Sequence, residues 1–349
     1  MKTSTGELLY HLWYVAMHGS EIARGKTISK TLLGHQILLG RDNDGVVFAL
    51  RDFCPHRGIP LRYGQFDGKE IECCYHGWKF NTGGQCTAIP CLPEDDSKTD
   101  ISRIKAYRYP CIEQNGLIWV YVPKLGERLP EVIPPLESLP VDLPLAHVET
   151  VLLPCNVDQA VIGLMDPSHG PFVHKSWWWR SQKSIHLKSK LFAPYKMGFC
   201  MKSHKPSSNS RAYKILGGER STEIAFQLPS LRSEHIKIGD KNIYLLTALT
   251  PIDEDNTSLQ QYVATDMRLV KTLMPLLKHF GRKFIAQDVD IVKKQQEGLT
   301  DGHAPLLLLG DADQQALWYY KLKKDFLSAQ AEGREFENRI PEKTLRWRS

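Results

Sequence analysis

Four side chains between residues 54 and 76 fall into two pairs. Cys54 and His56 stand in Cys-Pro-His, Cys73 and His76 in Cys-Cys-Tyr-His, and sixteen residues, 57 to 72, separate His56 from Cys73. Two thiolates and two imidazoles make a metal-ligand set. Four-coordinate zinc accepts two cysteines and two histidines, but the zinc-finger spacing groups cysteine with cysteine and histidine with histidine. A cluster of two irons, one held by both cysteines and the other by both histidines, suits two similar loops that each give one of each. Gly58, Gly64, Gly68 and Gly77 supply the tight turns that let both loops close over one cluster. Cys74 is then a spare thiol.

A second constellation reads Asp166-Pro-Ser-His169-Gly-Pro-Phe-Val-His174. On one continuous α-helix His169 and His174 diverge by about 140° and do not meet on one ion. The sequence offers a break, with Gly170 ending one helix and Pro171 beginning the next. Two histidines flanking that break can point inward together. A mononuclear Fe(II) site of two histidines and one carboxylate needs a third ligand. Asp288 has Phe284, Ile285, Ile291 and Val292 at its i±3 and i±4 positions, an apolar face on which an unpaired carboxylate is costly. Asp290 has Ala286, Gln287, Lys293 and Lys294 there, a solvated ion-pairing face. Asp288 is the ligand candidate.

The elements that must position these groups divide in two. From Leu9 to about Val122 short strands alternate with turns: 13–16, 37–39, 46–50 after the turn Arg41–Gly45, 107–109 and 117–121. Ile71-Glu72-Cys73 enters the second ligand loop and Trp78-Lys79-Phe80 leaves it. Proline at 123, 130, 134, 135, 140 and 144 forbids regular structure there and reads as a linker. Beyond it come a strand from His147 to Leu153, a short helix from Val157 to Met165, further strands at 224–228, 242–249 and 258–263, and helices over 267–298 and 313–332. Pro275 reads as an early interruption of the first long helix. The expected architecture is α+β: residues 1–123 an all-β cluster domain, 124–145 a linker, and 146–349 an antiparallel sheet with helices packed on it.

The 349 residues carry 45 Lys and Arg against 39 Asp and Glu, a net +6 that does not argue for nucleic acid. Eight cysteines are sparse for this length and read as reduced, cytoplasmic thiols, Cys86 and Cys91 among them. The N-terminus lacks an uninterrupted apolar segment, and the run Leu306–Leu309 is far short of a span, so no membrane partner is expected. No G-x-G-x-x-G fingerprint for a flavin or nicotinamide is present. Trp177-Trp178-Trp179-Arg180 reads as core or interface packing ahead of a pocket lining, and Ser207–Ser210 as a polar loop. Alternation alone turns Phe226, Leu228, Leu246 and Ala248 toward a cavity, whereas His204 and His235 read as surface or hydrogen-bonded histidines.

With both constellations in view, the chain resembles the Rieske non-haem iron oxygenases, in the α-subunit-only branch that includes vanillate and dicamba demethylases. The motif from Cys54 to Phe80 and the Asp166–His174 motif carry the resemblance, which spans nearly the whole chain. It implies a helix-grip, START-like second domain, a Rieske 2Fe–2S cluster on Cys54, His56, Cys73 and His76, and Fe(II) on His169, His174 and Asp288. It further implies O₂ as co-substrate and a ferredoxin or NAD(P)H-dependent reductase as electron source. In a head-to-tail homotrimer, Asp166 would link a cluster histidine of one subunit to an iron histidine of the next. Many relatives have an aromatic after the Asn before the site and an acidic-Asn pair close by; here those positions read Asn156-Val157 and Ile162-Gly163. The reaction expected is hydroxylation or oxidative demethylation of an apolar or aromatic small molecule. The alternatives are cis-dihydroxylation, a stand-alone electron carrier, or a helix-grip binding protein with a vestigial iron site.

Overall fold

The computed structural model describes residues 6–96, 98–136, 143, 145–174, 185–205, 219–301 and 306–349. The tryptophan run at 177–179 and the serine-rich loop at 207–210 lie outside the described residues. The chain divides into two compact units, Tyr10–Pro140 on the one hand and Met1–Leu9 with Val141–Ser349 on the other.

The unit Tyr10–Pro140 is built of short antiparallel strands. These are β1 (Leu12–His18), β2 (Lys26–Leu32), β3 (His35–Arg41), β4 (Val47–Arg51), β5 (Gln65–Phe66), β6 (Glu70–Glu72), β7 (Lys79–Asn81), β8 (Cys86–Ala88), β9 (Arg108–Tyr109), β10 (Cys111–Gln114) and β11 (Leu117–Val122). They form three sheets, ordered β1-β11-β10, β2-β3-β4-β9 and β5-β6-β7-β8. The β3–β4 turn closes as its residues require. The Val46 N–H donates to Asp42 Oδ1 at 2.8 Å, and Gly45 takes φ +91°, open to glycine at no steric cost. One core joins the second and third sheets, with Leu38, Phe48, Leu50, Ile71 and Phe80 packed around Cys54 and Cys73. Both candidate ligand cysteines therefore rise from the hydrophobic core.

In the second unit eight antiparallel strands make one sheet. They are β12 (Leu145–Leu153), β13 (Leu187–Tyr195), β14 (Gly198–His204), β15 (Arg220–Gln227), β16 (Leu231–Ile238), β17 (Lys241–Pro251), β18 (Thr257–Thr265) and β19 (Lys343–Arg348), in the order β12-β18-β17-β16-β15-β14-β13-β19. The helices are α1 (Val157–Met165), α2 (Gly170–Val173), α3 (Arg268–Asp301) and α4 (Gln314–Glu332). Phe192 and Phe199 meet Trp318 of α4, and Phe226 meets Tyr319. Further along the sheet Ile236, Ile238 and Ile243 pack on Val270 and Met274 of α3. The expected α+β class, an antiparallel sheet carrying helices, is what the chain adopts.

Three expectations change. Pro275 lies inside α3 without ending it, because the helix is held to the sheet on both sides of it, by Val270 and Met274 and by the Arg282–Glu149 ion pair at 2.9 Å. The C-terminal strand β19, paired with β13 from Leu187↔Arg348 to Phe192↔Lys343, has no counterpart in the sequence reading. The pairing register also splits the set assigned to one cavity wall. Phe226 pairs with Arg232, whereas Leu246 pairs with Ser233 and Ala248 with Leu231, so Phe226 points to the opposite face from the other two.

Beneath α1 lies a buried ionic knot. Lys323 Nζ of α4 donates to both Asp158 carboxylate oxygens, at 2.6 and 2.7 Å, and the Tyr319 hydroxyl donates to Oδ1. Neither charged side chain is more than 1% exposed. Two charges removed from water survive only with such full satisfaction, and the knot fixes α1, which leads into the metal residues, against α4.

Candidate metal centres

The two cysteine loops of the first unit share one backbone plan. The Cys54 N–H donates to the Ile59 carbonyl at 2.8 Å and the Gly58 N–H to the Cys54 carbonyl at 2.9 Å. In the second loop the Cys73 N–H donates to the Trp78 carbonyl at 2.8 Å and the Gly77 N–H to the Cys73 carbonyl at 3.0 Å. The glycine four residues after each cysteine takes a left-handed φ, +77° at Gly58 and +68° at Gly77. A further close approach fixes Gly64, where a Cβ would stand 2.1 Å from the Glu72 carbonyl oxygen. Asp52, with no exposed side-chain surface, braces the first loop by accepting from the Arg62 N–H at 2.8 Å and from the Arg62 guanidinium at 2.6 Å.

These loops set Cys54 beside Cys73 and His56 beside His76. Cys54 and Cys73 are buried, and the His56 and His76 rings lie 4.5 Å apart. His56 stacks on Trp78 at 4.4 Å, nearly parallel. Burial pushes the Cys54 thiol up to about 11, a shift that the neighbouring Cys73 reinforces. A thiolate at that spot calls for a cation against it. His76 Nδ1 is buried and, among the described residues, has no hydrogen-bond partner. Two buried thiols and, in the same pair of loops, an orphaned imidazole nitrogen fit donors that a mixed two-iron cluster takes. Cys74 is exposed, as expected of a spare thiol, and the eight cysteines are all free.

The second constellation converges too, through a break placed earlier than Gly170. Pro167 disfavours helical backbone at the residue before it, and Asp166 is extended at φ −62°, ψ 117°. Helix α1 therefore stops at Met165, Asp166 caps it, and His169 leads into the single turn of α2. Asp166 and His169 do not share one helix. His169 Nε2 and His174 Nε2 stand 3.2 Å apart, and Asp288 Oδ1 lies 3.4 Å from His174 Nε2 and 3.9 Å from His169 Nε2. One ligand atom from each residue falls within 4.8 Å of the others, a spacing that fits one metal ion. Burial raises the Asp288 carboxyl to about 6, against the opposing pull of His169. Three donors crowded without charge balance are what a cation would relieve.

The surroundings orient each ring. His169 Nδ1 donates to the Asp166 backbone carbonyl at 2.8 Å, while the carboxylate Oδ2 stands off at 3.7 Å. The other Asp166 oxygen, Oδ1, accepts the Ser168 N–H at 2.6 Å. Burial raises the Asp166 carboxyl, partly opposed by that bond and by His169. His174, only 1% exposed, stacks on Phe284 at 3.4 Å, and its Nδ1 faces Gln287 Oε1 at 3.2 Å. Phe284, Gln287 and Asp288, at i, i+3 and i+4 on α3, thus address one histidine. The sequence reading takes Asp288 from that face and misses Gln287, although the i+3 spacing from Phe284 marks it. Asp290 pairs with Lys294 at 2.6 Å on the outer surface. His204 and His235 are hydrogen-bonded, to the Lys202 carbonyl and to Asn242 Oδ1, each at 2.9 Å.

Comparison with known proteins accords with this pairing of sites. Residues 12–108 match the family model of the Rieske [2Fe-2S] domain. The oxygenase subunit of 3-chlorobenzoate-3,4-dioxygenase from Comamonas testosteroni is 35% identical over 177 residues, 49% of this chain and 39% of that protein. Residues 12–108 form a Rieske [2Fe-2S] domain, and the chain is similar to oxygenase subunits that carry one. Protein TIC 55 of Arabidopsis thaliana, a chloroplastic relative, is 30% identical over 305 residues, 84% of this chain and 54% of its own length. The first curated relatives are longer proteins, of which the matches cover 25% to 53%. The crystal structure of dicamba monooxygenase bound to dicamba shares the fold, with a TM-score of 0.72 over 92% of this chain and 98% of that one at 19% identity. The domain match thus calls for a 2Fe–2S cluster in the first unit, and His169, His174 and Asp288 form a candidate site for one metal ion in the second.

Proposed function

We propose that the protein is the terminal component of an O₂-dependent oxygenase that hydroxylates or oxidatively demethylates an apolar or aromatic small molecule. The observation that carries this reading is the convergence of His169, His174 and Asp288 within 4.8 Å in a chain that also bears a Rieske domain. In this reading Cys54, His56, Cys73 and His76 hold the cluster, and the two histidines and Asp288 hold iron(II). When bound, these groups supply single-electron transfer and activation of O₂.

The chain's own residues set the conditions. The Asp166 carbonyl and Gln287 hold the two iron histidines with Nε2 lone pairs turned inward. Phe284 covers one ring face of His174 and keeps water from it. Residues 1–123 form the electron-delivering domain, 124–145 the linker and 146–349 the catalytic domain. Electrons come from a ferredoxin or an NAD(P)H-dependent reductase. A head-to-tail homotrimer, in which Asp166 connects a histidine of the partner's cluster loop to His169, completes the path. A second reading, cis-dihydroxylation, is favoured by the relative named for a 3,4-dioxygenase.

Substrate-coupled O₂ uptake by the iron-loaded protein with a reductase, screened over aromatic acids, methyl ethers and polycyclic compounds, tests the proposal. Turnover with incorporation of oxygen from O₂ into product is expected, one atom for hydroxylation or demethylation and two for the second reading. Full loading of both metals with no uptake on any class would leave a carrier or binding protein instead.

A further inference from the structure

At its start β15 turns two polar side chains toward the helices. Its register pairs Arg220 with Ile238 and Thr222 with Ile236, and both isoleucines pack on Val270 of α3. Residues directly opposite each other in an antiparallel pair project from one side of the sheet, so Arg220 and Thr222 share that helix-facing side. Arg220 Nη1 and Thr222 Oγ1 are buried there with no hydrogen-bond partner among the described residues. Two residues apart on one strand, about 7 Å along it, both side chains can reach a single ligand.

No acid answers the arginine. Glu219, its neighbour in the chain, projects from the other side of the strand; its carboxylate is 86% exposed and stands 3.9 Å from Lys205. Among the described residues, β13 to β17 hold only two acids, Glu223 and Glu234. Glu223 alternates with Thr222 and so lies on the far side. Glu234 lies on the near side, four residues along β16 from Ile238, and Arg232 holds it at 3.2 Å. The other charges nearby are positive. His204 stands opposite Thr222 on β14, and burial lowers its pKa, a shift to which the ammonium groups of Lys190 and Lys188 add. A half-buried guanidinium with no counter-charge is costly, the same cost that singles out Asp288.

We propose that Arg220 and Thr222 bind the carboxylate of a small apolar acid, guanidinium and hydroxyl donating to its oxygens. An arginine fork matches the two oxygens of a carboxylate, and one added hydroxyl completes the set. A phosphate dianion has more acceptor sites than these two side chains serve. The burial of both donor atoms favours a small ligand over the surface of an acidic protein, and the neighbouring Ile236 and Ile238 suit an apolar body. The site is separate from the candidate iron centre. Asp288 follows Val270 by eighteen residues, about 27 Å along α3, so an acid the size of benzoate held at Arg220 does not touch the iron donors. The proposal therefore does not rest on the oxygenase function.

Calorimetric titration of the metal-loaded full chain with benzoate, without reductase, tests it. Benzoate should bind, and benzamide, of the same shape without the charge, should bind about tenfold more weakly or worse, as should inorganic phosphate. Arg220→Gln and, separately, Thr222→Val should weaken benzoate binding by about tenfold and about fivefold. Cluster absorption and iron content report that both variants are folded. Benzoate should raise the unfolding temperature of the unaltered protein and leave that of Arg220→Gln where it is. Asp288→Ala should bind benzoate normally. Absent benzoate binding, benzamide or phosphate bound as tightly, or an Arg220→Gln protein that binds normally would overturn the proposal. Loss of benzoate binding in Asp288→Ala would also overturn it, because the acid would then belong to the iron site.

Discussion

Gln287 Oε1 lies 3.2 Å from His174 Nδ1, one residue before Asp288, whose Oδ1 lies 3.4 Å from the Nε2 of the same ring. One turn of α3 therefore grips both nitrogens of a single histidine. An amide oxygen at Nδ1 fixes the tautomer that leaves Nε2 free for metal. Gln287→Leu should weaken mononuclear iron binding about 10–100-fold, read by chelator competition, with cluster absorption unchanged. Gln287→Glu, which still accepts the bond, should restore most of the affinity.

Asp288→Ala removes the only carboxylate of the three-donor group. The variant should lose the mononuclear iron and retain the visible spectrum of the cluster, whose ligands belong to the other unit. Metal analysis beside an absorption spectrum decides it; a variant with undiminished iron content would sink the assignment.

Asp166 holds the Ser168 N–H with one carboxylate oxygen and presents the other 3.7 Å from His169 Nδ1. Asp166→Asn preserves the shape and the backbone carbonyl that orients His169. Iron content should therefore stay normal while reductase-coupled O₂ uptake falls by about 100-fold or more, as expected when the charge stabilising a histidine is lost. Normal uptake would remove Asp166 from the electron path.

Lys323 and Asp158 are buried partners, so removing one strands the other. Lys323→Met should cost about 3–5 kcal/mol of stability, measured by denaturant unfolding of the second unit. The double replacement Asp158→Leu with Lys323→Met should recover much of that loss, since no uncompensated charge remains.

His35 offers a pH test remote from both metal sites. Burial, assisted by Arg51, lowers its pKa from 6.5 to about 4; its Nδ1 meets the Tyr109 hydroxyl at 2.9 Å, and Nε2 has no partner among the described residues. The folded protein thus holds His35 neutral where the unfolded chain would already bind a proton. Stability should be full above pH 6.5 and fall by about 3 kcal/mol as pH drops toward 4. His35→Gln should flatten that part of the profile, and identical pH profiles for the two proteins would refute the assignment.

Much of this was written along the chain. Cys54, His56, Cys73 and His76 are close in sequence, and the glycines that bend their loops lie among or next to them, so local spacing was enough to mark them as candidate ligands. Asp166, His169 and His174 are likewise local. Asp288, more than a hundred residues away, could still be picked out because a carboxylate on an apolar helix face is costly without a partner. What the sequence lacked is whatever depends on pairing between distant segments. The register of β15, β16 and β17 decided that Phe226 and Leu246 face opposite sides, since a one-residue shift reverses every side chain. Pro167 rather than Gly170 ended α1, a local effect outweighed in the reading by the more familiar helix punctuation of glycine and proline. Gln287 became a partner of His174, and Lys323 of Asp158, only because α3 and α4 pack where they do. The sequence by itself determined which groups can bind metal; the tertiary structure decided which neighbours hold them, because hydrogen bonds and buried charges are satisfied across space.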